Sequence, residues 1–200
     1  MRDEIIKVSL AGFLKHGIRK MTVQNLVSPL GISTKTVYKF FKNKEDLLKE
    51  CLALHYNTMT GDLLASIKKC PNAVQAVATC WNMTTAADFG VAKSFYHDLN
   101  YYYPSLQDAI LKKYGNKISD SFAELMTSGV QEGYFIEDLN PLLALEAMTV
   151  LYNSITRTDH YKKFRLSADI LAHQTVFVYL RGICTEKGLK ELKSYEKNKS

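Results

Sequence analysis

Gly31-Ile32-Ser33-Thr34-Lys35-Thr36-Val37-Tyr38-Lys39-Phe40-Phe41 is the stretch that orients the rest of the chain. Glycine tolerates the left-handed turn that closes a helix, and serine opens the next one by accepting a hydrogen bond from a free backbone N–H. Val37 and Phe41 then stand at i and i+4, while Lys35, Tyr38, Lys39 and Lys42 recur at i, i+3, i+4 and i+7 on the other side. A short helix with one apolar and one basic face is predicted from Thr34 to about Phe41.

Working outward, Thr22 caps a preceding short helix in which Asn25 is the third helical residue and Leu26 and Leu30 face inward. Ile6, Leu10, Phe13 and Leu14 form the stripe of a first helix that Gly17 ends. Downstream, Asn43 caps a fourth helix, and Glu45 and Asp46 in its first turn suit the positive end of the helix dipole. That helix is predicted to run from Lys44 to about Lys69, stopping before Pro71. Further helices are expected over 72–87, 89–99, 105–131, 141–158 and 167–187, and no strand-like alternation bounded by hairpin turns interrupts them. The expected fold class is all-α, a three-helix N-terminal bundle joined through a long helix to a larger helical body. The domain boundaries expected are 1–47 and 48–190, with a flexible Lys-, Glu- and Ser-rich tail over 191–200.

Two short helices joined by a tight glycine turn, the second capped by serine, make a helix-turn-helix. In such a unit the second helix enters the major groove and its first residues meet base edges. Thr34 and Lys35 occupy those positions, and Thr36, Tyr38 and Lys39 offer hydroxyl and ammonium donors for phosphates. The Lys44 ammonium and the N–H groups opening the fourth helix are read as a second phosphate seat. Thr22 and Gln24, at the start of the second helix, complete the DNA-facing set.

Charge agrees with this placement. Residues 1–50 hold 10 Lys and Arg against 5 Asp and Glu, whereas residues 51–200 hold 16 against 15. A basic module fused to a near-neutral body is the electrostatic footprint of a nucleic-acid binder. Other classes find less support. The four cysteines lack a CxxC pair or a histidine at metal spacing, so reduced thiols are expected and neither a metal nor a cofactor. His97 and Asp98 are neighbours on a helix and point in different directions, without a nucleophile motif or phosphate loop, so an enzyme is not expected. No apolar run reaches the roughly 18 residues needed to span a bilayer, and the start Met1-Arg2-Asp3-Glu4 lacks a signal-peptide core, which predicts a cytoplasmic protein.

Residues 2–54 resemble the N-terminal domain of the TetR family of regulators. The resemblance is carried by Phe13 and Gly17, by Met21-Thr22-Val23, by the stretch from Gly31 to Phe41, and by Asn43-Lys44-Glu45-Asp46-Leu47-Leu48, all in register without a gap. Beyond it the chain matches only in its helical pattern, including Gly133-Tyr134-Phe135 and Asn140-Pro141 before a long helix. Two residues depart from the family's pattern. Pro29 lies in the last turn of the second helix, where it removes a hydrogen bond, and Phe40 replaces a frequent histidine.

The resemblance implies a homodimer through the helices at about 141–158 and 167–187, a palindromic double-stranded DNA operator, and a repressor released by a small effector bound in the body. The apolar run Ile170 to Leu180 fits either a dimer interface or an internal core. Trp81, Phe95, Tyr96, Tyr102, Tyr103, Phe122, Met126 and Tyr152 are candidate pocket residues, and they would favour an apolar or aromatic ligand. The alternative reading of the residues is a helical ligand-carrier or interaction protein without sequence-specific DNA binding.

Overall fold

The computed structural model describes residues 1–198, apart from the side chain of Asn116. The described residues are helical throughout, and the one β-type pairing among them is an isolated antiparallel bridge between Phe135 and Cys184. The all-α expectation is borne out.

The helices are α1 (Arg2–His16), α2 (Val23–Val27), α3 (Thr34–Val37), α4 (Lys44–Ile67), α5 (Ala73–Phe89), α6 (Lys93–Tyr102), α7 (Pro104–Ile110), α8 (Asn116–Gln131), α9 (Pro141–Thr156), α10 (Ala168–Gln174), α11 (Val176–Ile183) and α12 (Glu186–Lys197). They divide into two compact units, Met1–Thr60 with Gly90–Gly115, and Gly61–Phe89 with residues 116 onward. The boundary expected at 47/48 is therefore not where compactness parts. The first turns of α4 bury Leu47, Leu48, Cys51 and Leu52 in the N-terminal core, and α6 and α7 return the chain to that same unit.

The first unit packs α1, α2 and α3 around Phe13, Ile18, Leu26, Val37 and Phe41, each no more than 2% exposed. At roughly 1.5–3 kcal/mol for each large side chain buried, this small core is what fixes the angle between the short helices, which are too short to persist alone. From α6 and α7 it gains Phe95, Tyr96, Leu99 and Ile110.

The second unit is built on α5, whose Val74, Val77, Ala78 and Trp81 are buried with Phe122 and Met126 of α8, Met148 and Tyr152 of α9, and Val176, Phe177 and Leu180 of α11. Its irregularities have local causes. The helix expected over 105–131 passes through a five-residue π-turn, Leu111–Gly115, between α7 and α8. The helix expected over 167–187 breaks at Thr175, whose hydroxyl donates back to Leu171 O at 2.7 Å while its backbone leaves the helical region at φ −127°.

The tail expectation is corrected. Thr185 caps α12 by accepting from Gly188 N at 3.2 Å, and Leu192 and Tyr195 are buried. Glu191 accepts from Asn72 and Gln75 of the α5 end, and Asn82 donates to Tyr195 Oη. An amphipathic face outweighs the tail's polar composition; residues 199 and 200 lie outside the described part.

The four cysteines are free thiols. Burial pushes Cys51, Cys80 and Cys184 up to about 12, because a thiolate has no solvation there. Cys70 is half-buried, its Sγ 3.4 Å from Ser66 O. In the folded protein a thiol-titrating disulfide reagent is expected to label Cys70 alone, with the other three reacting only after denaturation. A fast phase that survives Cys70→Ser contradicts this.

Candidate nucleic-acid interface

The sequence explains each joint of the N-terminal unit. Gly17 ends α1 at φ 85°, its N–H bonded to Phe13 O, and a Cβ there would lie 2.5 Å from Ser94 Oγ. Thr22 Oγ1 accepts from Asn25 N at 3.1 Å and opens α2. The expected effect of Pro29 is visible: α2 stops at Val27 and Ser28–Leu30 tightens into a 3₁₀ turn, because proline has no N–H to continue an α-helical ladder. Gly31 takes the left-handed conformation at φ 64° and its N–H closes on Ser28 O.

Ser33 Oγ then accepts from Thr36 N at 3.3 Å and starts α3. Only Thr34–Val37 is regular α-helix, shorter than the span expected to Phe41, although Tyr38 N still bonds Thr34 O and Phe41 N bonds Val37 O. Val37 and Phe41 are turned into the core, and Lys35, Tyr38, Lys39, Phe40 and Lys42 are exposed. Tyr38 is 52% and Phe40 42% exposed, unusual for aromatic rings on so small a module. Thr34 and Thr36 are half-buried, Thr36 sharing a 3.2 Å hydroxyl contact with Ser33, and Thr22 and Gln24 are exposed at the start of α2.

Lys44 needs a correction. Its ammonium donates to Ile18 O at 2.6 Å, and burial holds its pKa below the usual lysine value against the opposing pull of Asp98. It is a staple between α4 and the α1–α2 turn rather than a free cation for a phosphate. The α4 start is likewise engaged: Asn43 Oδ1 accepts from Asp46 N at 2.8 Å, and Asp46 Oδ2 accepts from Lys42 N.

Contacts from α6 and the residue before it complete the unit. Asp98 of α6, 7% exposed, accepts from the backbone N–H of Arg19 at 2.8 Å. The Arg19 guanidinium donates to Tyr102 Oη and lies 4.2 Å from the centroid of that ring. Ala92 N adds a bond to Leu14 O at 2.8 Å. The neighbour of Asp98, His97, is exposed and 3.8 Å away, while the carboxylate serves the turn. Arg19 and Asp98 are 79 positions apart, so no local signal announces the contact.

The candidate pocket residues separate. Trp81, Phe122, Met126 and Tyr152 come together in the second unit, where the Trp81 ring lies 6.0 Å from Phe122 and 5.8 Å from Tyr152. Phe95 and Tyr96 are core residues of the first unit, with Tyr103 packed against that core, and Tyr102 is engaged by Arg19.

With this geometry in place, the likenesses to known proteins are informative. Residues 5–51 match the family of bacterial regulatory proteins described as the tetR family. The HTH-type transcriptional repressor KstR2 of Rhodococcus jostii (strain RHA1) is 20% identical over 146 residues, 72% of each chain. A transcriptional regulator of Saccharomonospora viridis, solved with choline, superposes with a TM-score of 0.80 at 15% identity, over 92% of this chain and 98% of its own. FadR of Bacillus subtilis, solved with stearoyl-CoA, does so with a TM-score of 0.70 at 18% identity, over 92% and 100%. The helix-turn-helix, its exposed basic face and these likenesses define a DNA-binding transcriptional regulator. The TetR-family resemblance read from the sequence is borne out.

Losing the α3 cap should be felt as lost stability. Ser33→Ala is expected to cost about 1 kcal/mol, read as a lower midpoint in thermal or denaturant unfolding, with Ser33→Asp retaining most of it.

Proposed function

We propose that the chain is a homodimeric repressor that reads a palindromic operator with α3 and leaves it when a small, largely apolar or aromatic effector enters the second unit. The observation that carries the reading is the outward row Lys35, Tyr38, Lys39 and Lys42 along α3 and the turn that follows it, a segment whose opposite side, Val37 and Phe41, is locked in a core. Thr34 and Lys35 are assigned to base edges, and Tyr38, Lys39 and Thr36 to phosphates, with Thr22 and Gln24 supporting from α2.

Dimerisation rests on surface that a monomer has no use for. Leu142, Leu143 and Val150 of α9 are 58–66% exposed, and Ile170 of α10 and Val178 of α11 are 40% and 54% exposed. Covering these with the same helices of a second copy removes apolar area from water and supplies the second reading helix that a two-fold operator needs. The effector reading is supported by the ring cluster around Trp81, and by solved neighbours of this fold that hold choline or stearoyl-CoA.

A binding selection on genomic fragments gives the operator on which the assignments are tested. Tyr38→Ala is expected to weaken all sequences alike, whereas Lys35→Ala changes the preference among them. Lys39→Met is expected to lower the slope of log affinity against log salt by about one per protomer. Lys44→Met is expected to leave that slope intact and lower the melting temperature, because it removes an internal hydrogen bond. Wild-type binding by both Tyr38→Ala and Lys35→Ala overturns the assignment of α3; binding without sequence preference favours the carrier or interaction alternative.

For the dimer, light scattering is expected to give twice the chain mass, and Val150→Glu to halve it and abolish operator binding. A wild-type chain that stays monomeric at micromolar concentration refutes the pairing.

A further inference from the structure

Three side chains on one face of α5, Trp81, Thr85 and Asp88, follow each other at i, i+4 and i+7 and are 5%, 2% and 2% exposed. The first two are anomalous. Trp81 Nε1 and Thr85 Oγ1 are buried side-chain atoms with no hydrogen-bond partner. Buried polar groups are nearly always paired, and an indole N–H can only donate. Two unpaired groups one turn apart are hydrogen-bonding capacity that the protein itself does not use.

Asp88 is in the opposite condition. Its Oδ2 accepts from both the Tyr152 hydroxyl and the Arg157 guanidinium, the latter at 3.2 Å. Burial and the Asp88 charge push the Tyr152 phenol well above its usual pKa, so it remains a donor. The carboxylate is thus anchored and its charge countered by Arg157. Around this polar row stand the rings of Trp81, Phe122 and Tyr152 and the adaptable thioether of Met126.

We infer that the effector is a neutral, carbonyl-bearing hydrophobe whose oxygen accepts from Trp81 Nε1–H and Thr85 Oγ1–H; this rests on the effector reading above. The unspent groups can supply donors, so the ligand supplies an acceptor. It is neutral because a carboxylate buried at Thr85 would lose its hydration while the nearby Arg157 charge is already taken by Asp88. A cation gains little from an Asp88 already countered by Arg157. A pure hydrocarbon leaves both donors unpaired in an apolar site.

Trp81 is the only tryptophan, so the nitrogen-15-labelled full chain gives a single indole N–H resonance. Adamantanone, adamantane carboxylate and adamantane are titrated against it. The ketone is expected to move the indole resonance downfield and to bind about tenfold more tightly than either analogue, the scale of one hydrogen bond. Thr85→Val is expected to remove most of the ketone's advantage without weakening adamantane, and Asp88→Asn to narrow the gap to the carboxylate. Equal binding of all three, or ketone binding unaffected by Thr85→Val, overturns the carbonyl assignment while the effector core stands. An indole resonance that no probe moves overturns the assignment together with the effector reading of this core.

Discussion

A turn buried between helices must find partners for its backbone, and the segment joining α1 to α2 is such a turn. Its N–H at Arg19 is taken by the Asp98 carboxylate and its carbonyl at Ile18 by the Lys44 ammonium. These two charge-assisted bonds come from α6 and α4, elements far apart in sequence, and they meet on the one peptide group that joins Ile18 to Arg19, next to Gly17. Gly17 is required there because any side chain would collide with Ser94. The reading helix is thereby held by a frame larger than the three-helix bundle that contains it. A carboxylate and an ammonium this close to one turn also balance each other, which makes their burial tolerable in a small core.

That frame makes sense of the composition. The N-terminal quarter carries the excess positive charge, and one of its lysines is consumed internally while Lys35, Lys39 and Lys42 remain outside. Counting charges along the chain therefore overstates the cations available to a phosphate backbone. Burial decides which of them face outward, and burial is a property of the packed unit.

The second unit follows a different logic. Its apolar residues do two jobs that composition cannot separate: Met148, Phe177 and Leu180 fill the interior, whereas Leu143, Val150 and Val178 on the same helices face outward. Helical periodicity of 3.6 residues assigns neighbours to opposite faces, but only packing says which face is covered by the chain itself. The α5 row of Trp81, Thr85 and Asp88 is the polar counterpart. Its spacing is ordinary for a helix, and its meaning comes from Tyr152 and Arg157, brought to it from α9 and the residue that ends it.

Sequence by itself determined the elements whose signals are local. Caps at Thr22, Ser33 and Asn43, stops at Gly17 and Gly31, and the inward pair Val37 and Phe41 were all legible, since each depends on residues within a turn of one another. The reading face of α3 was legible for the same reason. Tertiary structure alone decided the inward turn of Lys44, the service of Asp98 to a distant loop, the separation of Phe95 and Tyr96 from Trp81 and Tyr152, and the docking of α12 by Leu192. Each of these rests on contacts across scores of residues, where the gain from burial and pairing outweighs what any local pattern prefers.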